Sequence, residues 1–94
     1  MLRKRRFARD TVVKVTFIVD DEGAGIVFLA GDFNDWQATP MQRRAGSWRT
    51  TVDLEPGREY QFRYIVGDDR WTNDPEADGY VHNPYGGENS IVRT

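Results

Sequence analysis

Two tryptophans stand in short polar loops rather than in an alternating apolar stripe. Trp36 closes the run Gly-Asp-Phe-Asn-Asp-Trp at positions 31–36, and Trp71 opens the run Trp-Thr-Asn-Asp-Pro at positions 71–75. No apolar stripe requires these rings to be buried, and hydroxyl, amide and carboxylate groups surround them. The two indoles are therefore candidates for stacking against a ligand that has a flat apolar face and a polar rim.

Two further side chains offer the polar contacts that such a ligand needs. Arg63 lies on the strand face opposite the inward stripe of residues 60–66, close to the Trp71 loop, and its guanidinium can donate to two adjacent hydroxyls. Asn89, at the start of the last strand, carries both a donor and an acceptor. A pyranose offers a C–H face with a rim of hydroxyls, whereas single-stranded nucleic acid would bring phosphates against an acidic body. A sugar is therefore the preferred ligand.

Catalytic and metal-binding chemistry find little support in the residue types. The sequence has no cysteine, His82 is its single histidine, and its serines are Ser47 and Ser90, so a nucleophile–base triad is not indicated. Five acidic residues between positions 68 and 78 suggest calcium ligands, but their spacing does not match the twelve-residue calcium loop. We interpret them as a solvated acidic tip. The sequence thus predicts a non-enzymatic protein without metal or cofactor.

The elements that position these side chains have the periodicity of strands. Apolar residues alternate at positions 13–19, 48–54 and 60–66, a short apolar run covers positions 26–30, and shorter strands are predicted at 80–82 and 89–93. Clusters of Gly, Pro, Asn and Asp separate them. Trp48 shares the parity of the core positions and is predicted to be buried. The pattern predicts an all-β fold, an immunoglobulin-like antiparallel β-sandwich, with one domain covering residues 11–94.

Charge is distributed unevenly along the chain. The formal net charge is −2, but residues 1–10 carry five basic side chains and one acidic one. We interpret residues 1–10 as a flexible basic arm, with a contact to nucleic acid or to an acidic partner as the alternative. No apolar run approaches the roughly 18 residues of a membrane span, and no apolar segment follows the basic start as in a secretory signal. These features predict a cytoplasmic protein without a membrane partner.

Four blocks of the sequence, in order, resemble carbohydrate-binding module family 48. The blocks are residues 27–36, 54–64, 71–75 and 83–92, and the resemblance covers residues 12–93. This family includes the glycogen-binding domain of the AMP-activated protein kinase β subunit and the N-terminal modules of isoamylases and glycogen-branching enzymes. The resemblance implies an early-set sandwich that binds α-1,4-linked glucan, such as glycogen, starch or maltooligosaccharides, without cutting it.

The resemblance also implies which residues hold the sugar. The family's motif places the two stacking rings, the cation and the amide at Trp36, Trp71, Arg63 and Asn89. Arg63 stands where the kinase domain has lysine, which keeps the charge but replaces a point donor with a planar fork. Tyr85 stands where that domain has a leucine that reaches the glucan ring. The alternative is an interaction module for a glycogen-metabolism enzyme or regulatory protein, with a weak or vestigial sugar site.

Overall fold

The computed structural model describes residues 1–6, 11–21 and 23–94, which form two packed antiparallel sheets. One sheet contains β1 (Leu2–Arg6), β2 (Val13–Val19), β5 (Gln42–Arg44) and β6 (Ser47–Leu54), in the order β1-β2-β6-β5. The other contains β3 (Val27–Gly31), β4 (Thr39–Pro40), β7 (Glu59–Val66), β8 (Arg70–Thr72), β9 (Gly79–His82) and β10 (Glu88–Arg93). Its order is β4-β3-β7-β10-β9, with β8 also paired to β7. The all-β antiparallel sandwich predicted from the sequence is confirmed.

The centre of the core lies between β2 of the first sheet and β7 of the second. Because side chains alternate between the two faces of a strand, Val15 and Phe17 of β2 and Phe62 of β7 belong to one core cluster, and all three are fully buried. The rings of Phe17 and Phe62 pack edge to face with centroids 4.9 Å apart. Trp48 is 7% exposed, so its predicted burial is confirmed. These contacts leave the outer face of each sheet free for other roles.

The first residues of the predicted basic arm belong to the sandwich, which corrects the sequence interpretation. β1 pairs with β2 over its full length, from Leu2 opposite Phe17 to Arg6 opposite Val13. Leu2 packs against the core, and Lys4 Nζ lies 2.6 Å from the Asp78 carboxylate. The sequence has no apolar alternation from which to predict this strand, because four of its five residues are charged. Charged residues are frequent on edge strands, where they prevent unwanted pairing with other chains. Residues 7–10 of the predicted arm lie outside the described residues.

The predicted acidic tip is only partly solvated, because Asp74 is fully buried. Its carboxylate accepts hydrogen bonds from the Tyr64 hydroxyl at 2.6 Å, the Glu76 backbone N–H at 2.8 Å and the Met1 ammonium at 2.6 Å. Burial, followed by the charge of Asp74, raises the pKa of Tyr64. Asp74 is therefore a structural anchor, and the interpretation of this residue as solvated is wrong. No helix capable of spanning a membrane occurs among the described residues.

Asp78 makes the stability of the sandwich sensitive to acid. Burial opposes its ionisation, but hydrogen bonds from the Arg93 backbone N–H and from Lys4 outweigh burial and hold its pKa below the ordinary value. A carboxyl with a lowered folded pKa stabilises the fold above its unfolded pKa, near pH 4, and this stabilisation is lost as the pH falls through the folded pKa. We therefore expect Asp78→Asn to lower stability at about pH 7 and to reduce the further loss at about pH 3.

Urea unfolding of the parent and of Asp78→Asn at both pH values measures this difference. Asp53→Asn is the matched control, since Asp53 makes an exposed ion pair with Lys14, and such pairs contribute little. Parallel pH dependence in the parent and Asp78→Asn would contradict the assignment.

Candidate functional site

Strand β7 changes its neighbour beside Arg63. The first half of β7 pairs with β10, with Phe62 opposite Ser90, and the second half pairs with β8, with Tyr64 opposite Thr72. Arg63 lies between these two registers and points away from the buried Phe62 and Tyr64. The start of β10 and the strand β8 therefore meet at Arg63, on the outer face of the second sheet.

An open groove of about 500 Å³ occupies this junction. All five site residues predicted from the sequence line it, although they come from separate parts of the chain: Trp36, Arg63, Trp71, Tyr85 and Asn89. The fold thus brings the predicted residues to one surface.

Trp36 is aimed into the groove by a compact turn after β3. A short 3₁₀ helix, Asp32–Asn34, is followed by Asp35 and Trp36 in the left-handed region, with φ values of 56° and 58°. Residues other than glycine adopt this conformation only where other contacts hold it. Here the Trp36 backbone N–H donates to Gly31 O at 2.9 Å, and the indole Nε1 donates to Asp32 Oδ1 at 2.9 Å. The ring is half-buried and held in one orientation.

Two residues dock this turn against β7. Asp32 uses its second carboxylate oxygen to accept the Gln61 backbone N–H at 2.7 Å. Position 31 requires glycine because other atoms pack closely against its Cα. A Cβ there would lie 2.7 Å from Gln61 O and 2.8 Å from the Phe33 ring. The sequence therefore encodes the position of Trp36 through the neighbouring glycine and aspartate.

Trp71 stands beside Arg63 on the same outer face. In the β7–β8 hairpin Trp71 lies opposite Ile65, and the Arg63 Cζ lies 5.9 Å from the centre of the indole ring, within cation–π range. Arg63 Nη2 also donates to Trp71 O at 3.4 Å. The ring remains 45% exposed, so it presents free surface while the guanidinium limits its movement.

Arg63 retains hydrogen-bonding capacity in the groove. Among the described residues, its buried Nε has no hydrogen-bond partner. Only the Nη2 atom donates to a described residue, which leaves Nη1 and its two hydrogens for a ligand.

Three side-chain amides form a chain along one wall of the groove. Asn83 Nδ2 donates to Asn89 Oδ1 at 3.2 Å, and Asn89 Nδ2 donates to Gln61 Oε1 at 3.0 Å. Asn89 is 7% exposed, so the amide that the sequence analysis selected is the middle and most enclosed member. The Gln61 amide nitrogen is left with both hydrogens for a ligand.

Sequence reasoning missed Gln61, Asn83 and Asp32 as lining residues. Gln61 was detectable in part, because it shares the outward parity of Arg63 on β7. Asn83 and Asp32 gave no such signal, since each sits in a turn whose typical residues include Asn and Asp for purely local reasons.

Tyr85 stands at the rim on the turn between β9 and β10. It is 98% exposed, and its backbone N–H donates to Asn83 Oδ1 at 2.9 Å. Gly86 and Gly87 follow with φ values of 120° and 70°, which glycine adopts readily. The tyrosine ring is thus the least constrained aromatic surface of the groove.

The groove is suited to stacking and hydrogen bonding. It offers indole faces, a phenol ring, a guanidinium, and side-chain amides that contain both hydrogen-bond donors and acceptors. Within the described part of the chain, no group of three or more His, Asp or Glu side chains is placed to hold a metal ion.

Comparisons with known proteins agree with the resemblance seen in the sequence. The family model described as the glycogen recognition site of AMP-activated protein kinase matches residues 13–94. The 5'-AMP-activated protein kinase subunit beta-1 of Sus scrofa is 34% identical over 86 residues, covering 92% of this chain and 64% of that protein. The Homo sapiens subunit beta-1 is also 34% identical, and the alignment covers 92% of this chain and 29% of that protein.

Two other similar proteins are enzymes. The 1,4-alpha-glucan branching enzyme GlgB of Novosphingobium aromaticivorans is 40% identical over 72 residues, covering 71% of this chain and 10% of that enzyme. The enterobactin esterase FES of Shigella flexneri superposes with a TM-score of 0.74 at 19% identity, over 98% of this chain and 32% of that one. At that identity the likeness is one of fold alone.

The chain spans less than two thirds of the kinase subunits that it matches. The family match, in contrast, covers both sheets from β2 to the last described residue and contains every residue of the groove. The chain therefore belongs to the family of the glycogen recognition site of AMP-activated protein kinase.

Proposed function

We propose that the chain binds α-1,4-linked glucan in this groove and does not cut it. The observation that carries the proposal is the convergence of two held indoles, Trp36 and Trp71, beside Arg63 and an amide chain on one open surface. Glucose units present C–H faces to such rings and hydroxyls to such donors. Membership of a glycogen-recognition family supports this choice of sugar.

The aromatic, charged and amide side chains of the groove have different roles in sugar binding. Trp36 and Trp71 stack on two glucose units, and Tyr85 extends the platform at the rim. Arg63 donates from Nη1 to sugar hydroxyls, while Gln61 supplies the amide donors that face the groove. Asn89 supports the arrangement by holding Gln61 and Asn83 in place.

The size of the stacking surface sets the expected affinity. Two glucose faces bury about 200 Å² of apolar surface, worth about 5 kcal/mol before the cost of ordering the sugar is subtracted. Dissociation constants for short oligosaccharides should thus be roughly micromolar to millimolar. Binding to a polymer should be tighter because neighbouring epitopes raise the effective concentration.

A regulatory role within a larger assembly is compatible with this proposal. The matched region forms 29% of the human kinase subunit and 10% of the branching enzyme, so in these relatives it is one part of a longer protein. We propose that the module brings a glycogen-metabolism enzyme or regulatory partner to glucan.

Intrinsic tryptophan fluorescence tests the glucan proposal. Maltoheptaose should change the emission saturably, because Trp36 and Trp71 are partly exposed whereas Trp48 is buried. Cellohexaose is the matched control, since its β-1,4 linkage presents the same glucose units in an extended chain. No response to maltoheptaose at millimolar concentration, or an equal response to cellohexaose, would contradict the proposal.

Gln61→Ala should weaken maltoheptaose binding about threefold to tenfold, because it removes one hydrogen bond to the sugar and the partner of Asn89. Isothermal titration calorimetry measures the change. Gln42→Ala is the control, since Gln42 is an exposed glutamine on the other sheet. Unchanged affinity in Gln61→Ala would remove this residue from the site while leaving the two indoles untested.

A further inference from the structure

The outer face of the first sheet, on the side of the sandwich away from the groove, is basic. Strand alternation directs the core residues of β2 and β6 inward, and the opposite parity carries five cations and one carboxylate. We call this set the basic face: Arg3, Arg5, Lys14, Arg44, Arg49 and Asp53. Since the whole chain has a net charge of −2, the rest of the molecule is acidic.

The charges of the basic face are poorly compensated within the described residues. Lys14 pairs with Asp53 at 3.0 Å in an exposed ion pair, and Arg49 donates to the neutral Ser47 hydroxyl at 3.0 Å. Arg3, Arg5 and Arg44 are exposed, and their guanidiniums have neither a hydrogen bond nor an ion pair with a described residue. These guanidiniums remain available to an external anion.

Four of the five cations form two groups along the strand direction. Arg5 and Lys14 are opposite each other at one end, and Arg44 and Arg49 lie towards the other end. Arg44 lies opposite Ser47, six residues along the sheet from the row of Lys14, which corresponds to about 20 Å in an antiparallel sheet. Between the groups, Arg3 lies opposite Thr16, and the Thr16 and Thr51 hydroxyls are hydrogen-bonded at 2.9 Å.

A shallow groove of about 510 Å³ runs over Thr16 and Thr51 and reaches the second group of cations. It is lined by side chains that bind through hydrogen bonds, and no aromatic ring contributes to it: Thr16, Gln42, Arg44, Arg49, Thr50 and Thr51. This lining is polar, so an apolar segment would gain little by docking there.

We propose that the basic face binds a short acidic segment of a protein partner, about six residues long in extended form. At about 3.4 Å per residue such a segment spans both groups of cations, and arginine forks bind carboxylates in two-point geometry. The exposed carboxylate of Asp20 follows β2 at the end of the face near Arg44 and Arg49, and Asp53 lies within the other end, paired with Lys14. A longer polyanion such as a nucleic acid duplex would therefore be repelled where it extends past the face.

The position of the basic face allows both sites to be occupied together. The glucan groove lies on the outer face of the second sheet, and the core separates the two sheets. The acidic segment would thus bind without displacing the sugar, and its failure to bind would not affect the glucan proposal.

Nuclear magnetic resonance titration with hexaglutamate tests the basic face. At about 0.1 M ionic strength, where the Debye length is about 10 Å, hexaglutamate should shift the backbone amides of β2, β5 and β6. Hexaglutamine, the neutral peptide of equal length, should shift none of them. Arg5→Gln/Arg44→Gln should weaken binding about fivefold to tenfold, because one cation is removed from each group.

The double variant Arg58→Gln/Arg70→Gln is the matched control, since it removes two exposed cations elsewhere and should change binding less than about twofold. The proposal is overturned if hexaglutamate causes no shifts, if hexaglutamine causes the same shifts, or if the control variant weakens binding as much as the face variant. It is also overturned if a twelve-base-pair DNA duplex binds these strands more tightly than hexaglutamate, because the face would then be a nucleic-acid site.

Discussion

Replacing Trp36 with alanine is expected to weaken maltoheptaose binding about thirtyfold. The ring is the most firmly held aromatic surface of the groove, fixed by the bond from its Nε1 to Asp32 and by the turn that follows β3. Losing about 100 Å² of stacked apolar area removes about 2 kcal/mol of binding free energy. Isothermal titration calorimetry with maltoheptaose measures this loss.

Two controls separate stacking from general damage to the fold. Ile26→Ala removes another partly exposed apolar side chain, 36% exposed and outside the groove, and should leave sugar affinity unchanged. Trp36→Phe keeps a smaller ring but loses the donor to Asp32, so its affinity should fall between those of the parent and Trp36→Ala. Parent-like affinity in Trp36→Ala would refute the assignment of this indole as a sugar platform.

Replacing Asp74 with alanine is expected to lower the free energy of unfolding by about 2–5 kcal/mol. The carboxylate is fully buried and accepts the Tyr64 hydroxyl and the Glu76 backbone N–H. Alanine would leave these donors without their partner, and an unsatisfied buried donor costs about 1–3 kcal/mol. Urea unfolding, with the midpoint and slope fitted together, measures the loss.

The same substitution connects stability to the groove. The Asp74 backbone N–H donates to Ser90 Oγ at 2.9 Å, and Ser90 Oγ donates to Asn73 Oδ1 at 2.9 Å. These bonds fix the segment after Trp71 against the residue after Asn89. The substitution keeps this backbone N–H but removes the carboxylate that accepts the Glu76 N–H in the same segment, so sugar affinity should also fall. Asp53→Ala, which breaks an exposed ion pair, should cost less than about 0.5 kcal/mol. A loss of under about 1 kcal/mol for Asp74→Ala would contradict the anchoring role.

The sequence was sufficient to predict the strands whose two faces differ chemically. Phe62 and Tyr64 alternate with Gln61 and Arg63 on β7, so parity alone separated core from surface and placed Arg63 outward. Trp36 and Trp71 were recognisable because they fall outside this pattern among polar residues, although Trp71 lies on β8 and not in the loop that the sequence predicted. For the same reason Trp48, which obeys the parity of its strand, was correctly assigned to the core.

Long-range contacts account for what the sequence could not predict. The burial of Asp74 depends on Tyr64 and on Ser90, sixteen positions away, and no local pattern distinguishes it from its solvated acidic neighbours. The sequence predicted a flexible arm instead of β1 because this strand consists of arginines, a lysine and one apolar residue, Leu2, which packs against the core. The enclosure of Asn89 by Gln61 and Asn83 depends on the register of β10 against β7, which periodicity leaves undetermined.

The indole N–H signals of the three tryptophans provide the most direct test of the central claim that the outer groove of the second sheet binds α-glucan. Trp36 and Trp71 line the groove, whereas Trp48 is in the core and donates to Asp21 O at 3.3 Å, so it serves as an internal control. In a heteronuclear NMR titration with maltoheptaose, we predict that the Trp36 and Trp71 signals shift together and saturably while the Trp48 signal stays in place. Stationary Trp36 and Trp71 signals at saturating sugar, or a shift of the Trp48 signal alone, would contradict the account.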